Sequence, residues 1–318
     1  MSQPEQIIET LEGRARRRED RRAFFTTALG AAAVGAGAFM FASPAAAQTA
    51  VTDADVLNFA LNLEYLEANF YAFAASGTAL AAADISGSGT AGAATGGRRV
   101  NFSDPLVAAY AREIAADELA HVRFLRTSLG AGTVAQPALD LSVSPTSAFS
   151  NAARAAGLIG AGATFDPYAN DENFLLGAYI FEDVGVTAYK GAAALITNRT
   201  FQEAAAGILA VEAYHAAIVR TTLYSKGIAT PSLIDATEAI SNARDALDGG
   251  TDIDQGVRPT SSSAGNVSNI APLDSDGIAF SRSTGQVLNI VYLNRTAVTM
   301  GGFFPAGVNG TIRTAAAS

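Results

Sequence analysis

The two histidines of this chain constrain its fold more than any other feature. Each lies three residues after a glutamate, in the segments Glu118-Leu119-Ala120-His121 and Glu212-Ala213-Tyr214-His215. On an α-helix, residues i and i+3 project from the same face about one turn apart. A carboxylate and an imidazole placed in this way can bind one metal ion from one side. The pattern therefore predicts two helices whose glutamate and histidine side chains face a shared interior.

Two further glutamates, Glu64 and Glu182, interrupt apolar helical stripes from within. A tyrosine follows each of them seven residues later, at Tyr71 and Tyr189, which is about two turns on and on the same face. The chain thus reads Glu…Tyr, Glu-x-x-His, Glu…Tyr, Glu-x-x-His. This order indicates a duplicated helix pair and predicts a metal site of approximate two-fold symmetry.

Apolar residues that recur at three- and four-residue steps predict six helices. Pro105 marks the start of the second helix, and Gly130 and Gly227 mark the ends of the second and fourth. Short helical turns are expected around residues 147–156. The predicted helices span about 52–75, 103–129, 171–195, 199–226, 232–247 and 284–293.

The predicted fold class is all-α, with a four-helix bundle as its main domain. The bundle occupies residues 48–230, and residues 231–318 form a helical and irregular extension that packs on it. Residues 76–102 and 131–170 are connections of unusual length for a helical bundle. Residues 76–102 are expected to cover one end of the bundle, and residues 131–170 are the expected place for a crossover of the chain.

Four carboxylates and two imidazoles form the predicted ligand set. Their four negative charges cancel the charge of two divalent ions, so the site can lie inside an apolar bundle. Oxygen donors with one nitrogen per metal suit two iron or manganese ions, although zinc can also bind. Glu118 and Glu212 are expected to bridge the ions, and Glu64 and Glu182 to hold one each. The six predicted ligands are Glu64, Glu118, His121, Glu182, Glu212 and His215.

Neighbouring residues leave alternatives open. Glu67 competes with Glu64 as the ligand from the first helix, and the tyrosine spacing favours Glu64. Tyr71 and Tyr189 are either hydrogen-bond donors or redox-active neighbours of the metals, or ordinary core tyrosines. Asp117 is placed to accept a hydrogen bond from the ring of His215, while Val211 offers no mirror contact. Solvated surface carboxylates are expected at Glu67, Glu113, Glu172, Glu203 and Glu238.

Residues 1–47 have the composition of a targeting segment. A basic region with six arginines precedes the uncharged run 28–42, and Ala45-Ala46-Ala47 offers small residues for cleavage before Gln48. The stretch Asp20-Arg21-Arg22-Ala23-Phe24-Phe25 resembles the twin-arginine export signal, with an ordinary secretory signal or an uncleaved anchor as alternatives. The uncharged run is short against the ~20 apolar residues of a spanning helix. The prediction is therefore a periplasmic or otherwise exported protein.

Composition excludes several classes of function. The chain has no cysteine, which excludes thiolate metal sites and cysteine catalysis. Without residues 1–47 it has 15 basic and 25 acidic side chains, and no basic patch for nucleic acid is left. No later hydrophobic run is long enough to span a membrane.

Three segments carry a resemblance to a known family: residues 62–71, 182–192 and 301–307. They resemble the bacterial ferritin-like proteins related to plant desiccation-related proteins, and the likeness covers most of residues 52–310. The resemblance implies a ferritin-like left-handed four-helix bundle with a carboxylate-bridged metal pair. It does not fix the activity, because that superfamily includes ferroxidases, peroxide-reducing proteins, manganese catalases and oxygenases. The long loops and the extension argue against a hollow iron-storage cage.

The leading hypothesis is an exported dimetal protein of oxidative or desiccation stress. It would oxidise Fe(II) with oxygen or peroxide, and a manganese form would disproportionate peroxide. The alternative is a non-catalytic protein that protects other molecules or sequesters metal. A substrate oxygenase is the third reading, and it requires an apolar pocket beside the metals. A homo-oligomer is compatible with the sequence.

Overall fold

Eight α-helices carry most of the computed structural model, which describes residues 51–318. The predicted targeting segment, residues 1–47, lies outside the described residues. The predicted all-α class is confirmed, since the only strands described are four pieces of two or three residues. The helices are α1 Asp53–Ser76, α2 Ala82–Ile85, α3 Pro105–Leu129, α4 Ala148–Ala155, α5 Asp171–Ala193, α6 Arg199–Ala229, α7 Pro231–Asp248 and α8 Thr284–Val291.

Helices α1 and α5 form the interior of the bundle. Residues 174–185 of α5 are all buried, and α1 is buried on nearly every face between Val56 and Ala74. Helix α1 packs mainly on α3, and α5 packs mainly on α6. Helices α3 and α6 bury only a stripe, which on α3 recurs every three or four residues from Val107 to Leu125. The predicted ligands lie on these four helices, and their side chains all point into the core.

Local signals set the helix ends. Thr52 caps α1 in a capping box with Asp55, and Gly77 ends that helix with a φ of 84°. The predicted end at Gly227 is wrong, because α6 continues to Ala229. Gly227 instead allows a close helix approach, since a Cβ there would lie 2.5 Å from the side chain of Ile234 on α7. Its missing side chain serves packing rather than helix termination.

The two long connections are ordered because they pair with each other. Strand β1, Ala94–Thr95, runs parallel to β2, Leu139–Asp140, and a 3₁₀ turn follows α3 at Gly130–Gly132. Arg98 in the first connection pairs with Asp166 in the second and remains half-exposed. The long loops thus have backbone partners that periodicity does not reveal.

Residues 231–318 pack on the helices rather than extending away from them. Helix α7 packs on α6, and α8 packs on α5 and α7. Phe303 is fully buried, and its ring centroid lies 5.0 Å from those of Phe149 and Phe181. Strands β3, Thr260–Ser262, and β4, Gly265–Val267, form an exposed antiparallel hairpin. Within residues 51–318, no helix has the length and apolar character needed to cross a membrane.

Candidate metal centre

The six side chains predicted as ligands meet at one place in the core. They form two overlapping groups, and within each group one ligand atom per residue lies within 4.8 Å of the others. Glu64 and His121 complete one group, position A, and Glu182 and His215 complete the other, position B. Glu118 and Glu212 belong to both groups. This sharing is the arrangement that two bridging carboxylates require.

The two histidines approach the carboxylates from the same end of the site. Nδ1 of His121 lies 3.3 Å from Oε2 of Glu64 and 3.5 Å from Oε2 of Glu118. Nδ1 of His215 lies 2.9 Å from Oε1 of Glu118 and 3.7 Å from Oε2 of Glu182. The imidazole rings are 6.3 Å apart and tilted by 35°. Both rings therefore present Nδ1, not Nε2, to the carboxylates of the predicted glutamate ligands.

Eight atoms of these six residues are buried without a hydrogen-bond partner among the described residues. Both oxygens of Glu118 and of Glu212 are unpaired, as are one oxygen each of Glu64 and Glu182 and Nδ1 of each histidine. Buried polar atoms are nearly always hydrogen-bonded, and leaving one unpaired costs about 1–3 kcal/mol. A cluster of eight such atoms has the composition of a cation-binding donor set. The set of six oxygens and two nitrogens fits two divalent ions.

The tyrosines are hydrogen-bonded to the site across its symmetry axis. Tyr71 of α1 donates its hydroxyl proton to Oε1 of Glu182 on α5, and Tyr189 of α5 donates to Oε1 of Glu64 on α1. Each bond occupies one carboxylate oxygen and leaves Oε2 directed at the histidines. Burial, and then the nearby carboxylates, raise the pKa of both phenols well above the usual value, so both remain donors.

Asp117 forms the hydrogen bond that the sequence suggested. Its Oδ2 lies 3.1 Å from Nε2 of His215. Because a carboxylate only accepts, Nε2 carries a proton, and Nδ1 is the nitrogen directed at the site. Position 211 is valine, and no side chain or carbonyl of residues 51–318 pairs with Nε2 of His121.

Burial and mutual repulsion oppose the ionisation of three of the four predicted glutamate ligands. Burial, and next the charge of Glu118, raise the pKa of Glu64 to about 7. Burial also raises the pKa of Glu182 to about 8 and that of Glu212 well above its usual value. For Glu118 the effect of burial is outweighed by the two histidines, which lower its pKa to about 2.

The pKa values of the two histidines are raised by the same carboxylates. Burial lowers their pKa values, but the adjoining carboxylates outweigh it and raise the pKa of His121 to about 11 and that of His215 to about 9. Protons thus take the place at these nitrogens that a metal would occupy. Bound cations would relieve the same repulsion and release those protons.

Glu67 is not a surface residue, and the expectation of a solvated side chain is wrong. It is only 6% exposed, because α1 has no solvated face at this level. Burial, followed by the charges of Glu118 and Glu182, raises its pKa well above the usual value. It belongs to neither ligand group, which leaves Glu64 as the ligand candidate from α1. Of the other four, Glu113 and Glu203 are exposed and Glu172 and Glu238 are half-exposed.

The space for Glu67 exists because its symmetry counterpart is a glycine. Gly185 follows Glu182 by three residues, as Glu67 follows Glu64. A Cβ at position 185 would overlap Oε2 of Glu212 and lie 3.5 Å from Oε1 of Glu67. Residue-by-residue comparison of the two halves is the sequence signal that could have identified both positions.

Two cavities adjoin the centre from different sides. The first, which we call the histidine groove, is an open cleft of about 630 Å³ between α3 and α6, and its lining includes Asp117, His121, Val211, Tyr214 and His215. The second is an apolar pocket of about 30 Å³ between α1, α5 and α8, with Glu67 and Gly185 in its wall. The groove brings solvent to the histidines, and the pocket has room for little more than water.

Comparisons with known proteins identify the family to which the chain belongs. The chain is 30% identical over 270 residues to ferritin-like catalase Nec2 of Nesocodon mauritianus, an alignment that covers 82% of this chain and 84% of the relative. It is 32% identical over 248 residues to desiccation-related protein PCC13-62 of Craterostigma plantagineum, covering 74% of this chain and 76% of the relative. No solved structure gives a significant match. The ferritin-like domain family matches residues 52–225. Four helices of this segment carry all six predicted ligands. The chain belongs to the ferritin-like domain family.

Proposed function

We propose that this protein holds two iron or manganese ions at the six-residue cluster and uses them to decompose hydrogen peroxide. The observation that carries the proposal is the set of eight unpaired donor atoms in two overlapping groups. Glu64 and His121 would hold one ion, Glu182 and His215 the other, and Glu118 and Glu212 both. Four carboxylates balance the charge of two divalent ions, so the site is neutral when loaded.

A bound pair of such ions supplies the two electrons that peroxide cleavage needs, and takes two electrons back. The balanced reaction converts two hydrogen peroxide molecules to two waters and one dioxygen. One peroxide gains two electrons and two protons, and the other releases the same number. An iron form with a supply of Fe(II) would instead act as a ferroxidase, with oxygen or peroxide as the oxidant.

The chain's own residues would orient the ligands and control access. Tyr71 and Tyr189 hold one oxygen of Glu182 and of Glu64, which directs the other oxygen at the centre. The histidine groove provides the wide route to the site. The apolar pocket on the other side leaves about 30 Å³, which is too little for an organic substrate beside the metals. On that side there is therefore no room for the apolar substrate pocket that an oxygenase requires.

Similarity to a protein named as a ferritin-like catalase supports turnover of peroxide. Similarity to a desiccation-related protein supports a second candidate, in which the same cluster holds metal for protection or sequestration without turnover. The two candidates make opposite predictions for oxygen release from peroxide.

Metal content and catalase activity test the proposal together. Protein purified from its native host should carry about two iron or manganese ions per chain by elemental analysis, and it should evolve oxygen from hydrogen peroxide. A Glu118→Ala/Glu212→Ala double variant that keeps its helical circular dichroism should lose both properties. Full metal without oxygen release would favour sequestration, and full metal in the double variant would refute the site.

We also propose that the protein is exported by the twin-arginine route. A folded, metal-loaded bundle is the kind of cargo that this route carries. Changing Arg21 and Arg22 to lysine should leave the protein inside the cytoplasm with its metal content unchanged. Normal export of that variant would overturn the proposal.

A further inference from the structure

The two metal positions have matching residues at every predicted ligand. Glu64 corresponds to Glu182, Glu118 to Glu212, and His121 to His215. The tyrosines also match, because each donates to the glutamate of the opposite half. Any difference between the two positions must therefore come from residues outside the ligand set.

Asp117 and Val211 supply such a difference. Each directly precedes a shared glutamate, so they occupy equivalent places on α3 and α6. Asp117 accepts the Nε2 hydrogen of His215 at 3.1 Å, whereas valine has no acceptor to offer to His121. Both residues line the histidine groove, where Val211 is half-buried.

The hydrogen bond changes what His215 can do for a metal. It fixes the ring orientation and the tautomer, and the carboxylate makes Nδ1 a stronger donor. The side chain of His215 is 2% exposed, while that of His121 is 10% exposed and without such a partner. His121 therefore has more freedom to turn and meets the solvent of the groove at its Nε2 edge.

We propose that the two metal positions are inequivalent, and that Asp117 is the positioning residue that makes position B bind its ion more tightly than position A. The ion beside His121 is then the one that exchanges with the histidine groove. This inference rests on the proposed function, since it requires that the cluster binds metal.

Titration of the metal-free full chain with Mn²⁺, followed by the electron paramagnetic resonance signal of the free ion, tests the inference without an activity assay. The wild-type protein should take up two ions in two resolved steps. Asp117→Ala should weaken the tighter step by about 10–100-fold and leave the weaker step in place. Asp117→Asn keeps a carbonyl acceptor without the charge and should recover part of the loss.

Val211→Asp is the matched gain-of-function variant. It gives His121 the acceptor that it lacks, so the weaker step should tighten toward the stronger one. Glu64→Gln and Glu182→Gln assign the two binding steps to the two positions. Glu64→Gln should keep the tight step and lose the weak one, and Glu182→Gln should keep the weak step and lose the tight one. Circular dichroism checks that each variant is folded.

The outcomes separate the two ideas. Two equal steps in the wild-type protein, or equal weakening of both steps by Asp117→Ala, would overturn the inequivalence while leaving the metal centre intact. No uptake of Mn²⁺ by the wild-type protein would refute the metal centre itself.

Discussion

Tyr71 on α1 donates its phenolic hydrogen bond to Glu182 on α5, not to Glu64 on its own helix. The reciprocal bond from Tyr189 to Glu64 ties the same two helices in the opposite direction. Each half of the duplicated structure thus orients a predicted ligand of the other half. The two bonds make the geometry of positions A and B interdependent.

Tyr71→Phe should lower both the stability of the fold and the affinity for metal. It leaves Oε1 of Glu182 buried without a donor, which costs about 1–3 kcal/mol of unfolding free energy. Loss of a hydrogen bond to a ligand typically lowers metal affinity by about 10–100-fold. Urea unfolding and Mn²⁺ titration measure the two effects.

Tyr168→Phe is the control for that variant. Tyr168 is equally buried, but its hydroxyl donates to the carbonyl of Leu141, away from the centre. It should lower stability without changing Mn²⁺ affinity. If Tyr71→Phe bound Mn²⁺ as well as this control does, the proposed orienting role would be wrong.

Glu64→Gln and Glu67→Gln should separate a ligand from its buried neighbour. Glu64 is within reach of the position A donors, and Glu67 belongs to neither group. We expect the Glu64 variant to lose at least one of two ions, and the Glu67 variant to keep both. Elemental analysis after dialysis against a weak chelator gives the stoichiometry. The opposite pattern would make Glu67 the ligand from α1.

The sequence predicts the helices and the ligand set because both depend on local periodicity. The Glu-x-x-His segments and the repeated Glu…Tyr spacing lie within single helices, where i+3 and i+7 define a face. That a helix is enclosed on all faces is not a local property. For this reason Glu67 was wrongly predicted to be solvated, although it follows Glu64 by one turn.

Partners across the fold are the second kind of feature that periodicity misses. The spacing of Tyr71 from Glu64 predicts that it lies beside the site, but its partner on α5 depends on how two helices pack. The role of Gly227 is also not predictable from periodicity. Whether this glycine ends α6 or allows another helix to pack closely against it depends on the position of α7. By contrast, the contact of Asp117 with His215 is predictable, because Asp117 directly precedes Glu118 on a helix expected to face that of His215.

The metal-free protein should become less stable as pH rises from about 5 to 8. The folded pKa values of Glu64, about 7, and Glu182, about 8, lie above the usual 4.5, so the folded state keeps protons that the unfolded state releases. The pKa of His215, raised from 6.5 to about 9, contributes stability that is present below 6.5 and lost through 9. Glu118, with a pKa of about 2, acts in the opposite direction only at pH below 4.5.

Manganese should reverse this trend, because the bound ion replaces those protons. Thermal unfolding midpoints of metal-free and Mn²⁺-loaded protein at pH 5, 6.5 and 8 measure it, and the gain from Mn²⁺ should be largest at pH 8. A metal-free protein that is most stable at pH 8 would contradict the prediction.

Gly185→Ala should disturb the centre with a single methyl group. The new Cβ overlaps Oε2 of Glu212, so the shared carboxylate or the helix must move. Overpacking of this kind costs about 1–3 kcal/mol. Mn²⁺ titration should show both steps weakened, because Glu212 serves both positions.

Gly207→Ala on α6 is the matched control, since nothing lies within 4 Å of its Cβ. An alanine in an open helical position should stabilise the protein by about 0.5–1 kcal/mol. It should leave Mn²⁺ binding unchanged. Equal Mn²⁺ affinities in the two variants would show that the close approach at Gly185 has no consequence for the site.

Arg282→Met should show that the segment before α8 is part of the stable core. The side chain of Arg282 is fully buried, and it binds Asp248 at 2.6 Å, Asp254 at 2.8 Å and Thr187 on α5 at 2.9 Å. Its loss leaves buried carboxylates without full compensation, which typically costs about 3–5 kcal/mol. Arg258→Met is the control, because its pair with Asp235 is exposed and worth less than about 1 kcal/mol. Urea unfolding followed by circular dichroism compares the two, and similar midpoints would mean that this buried network does not hold the segment on the bundle.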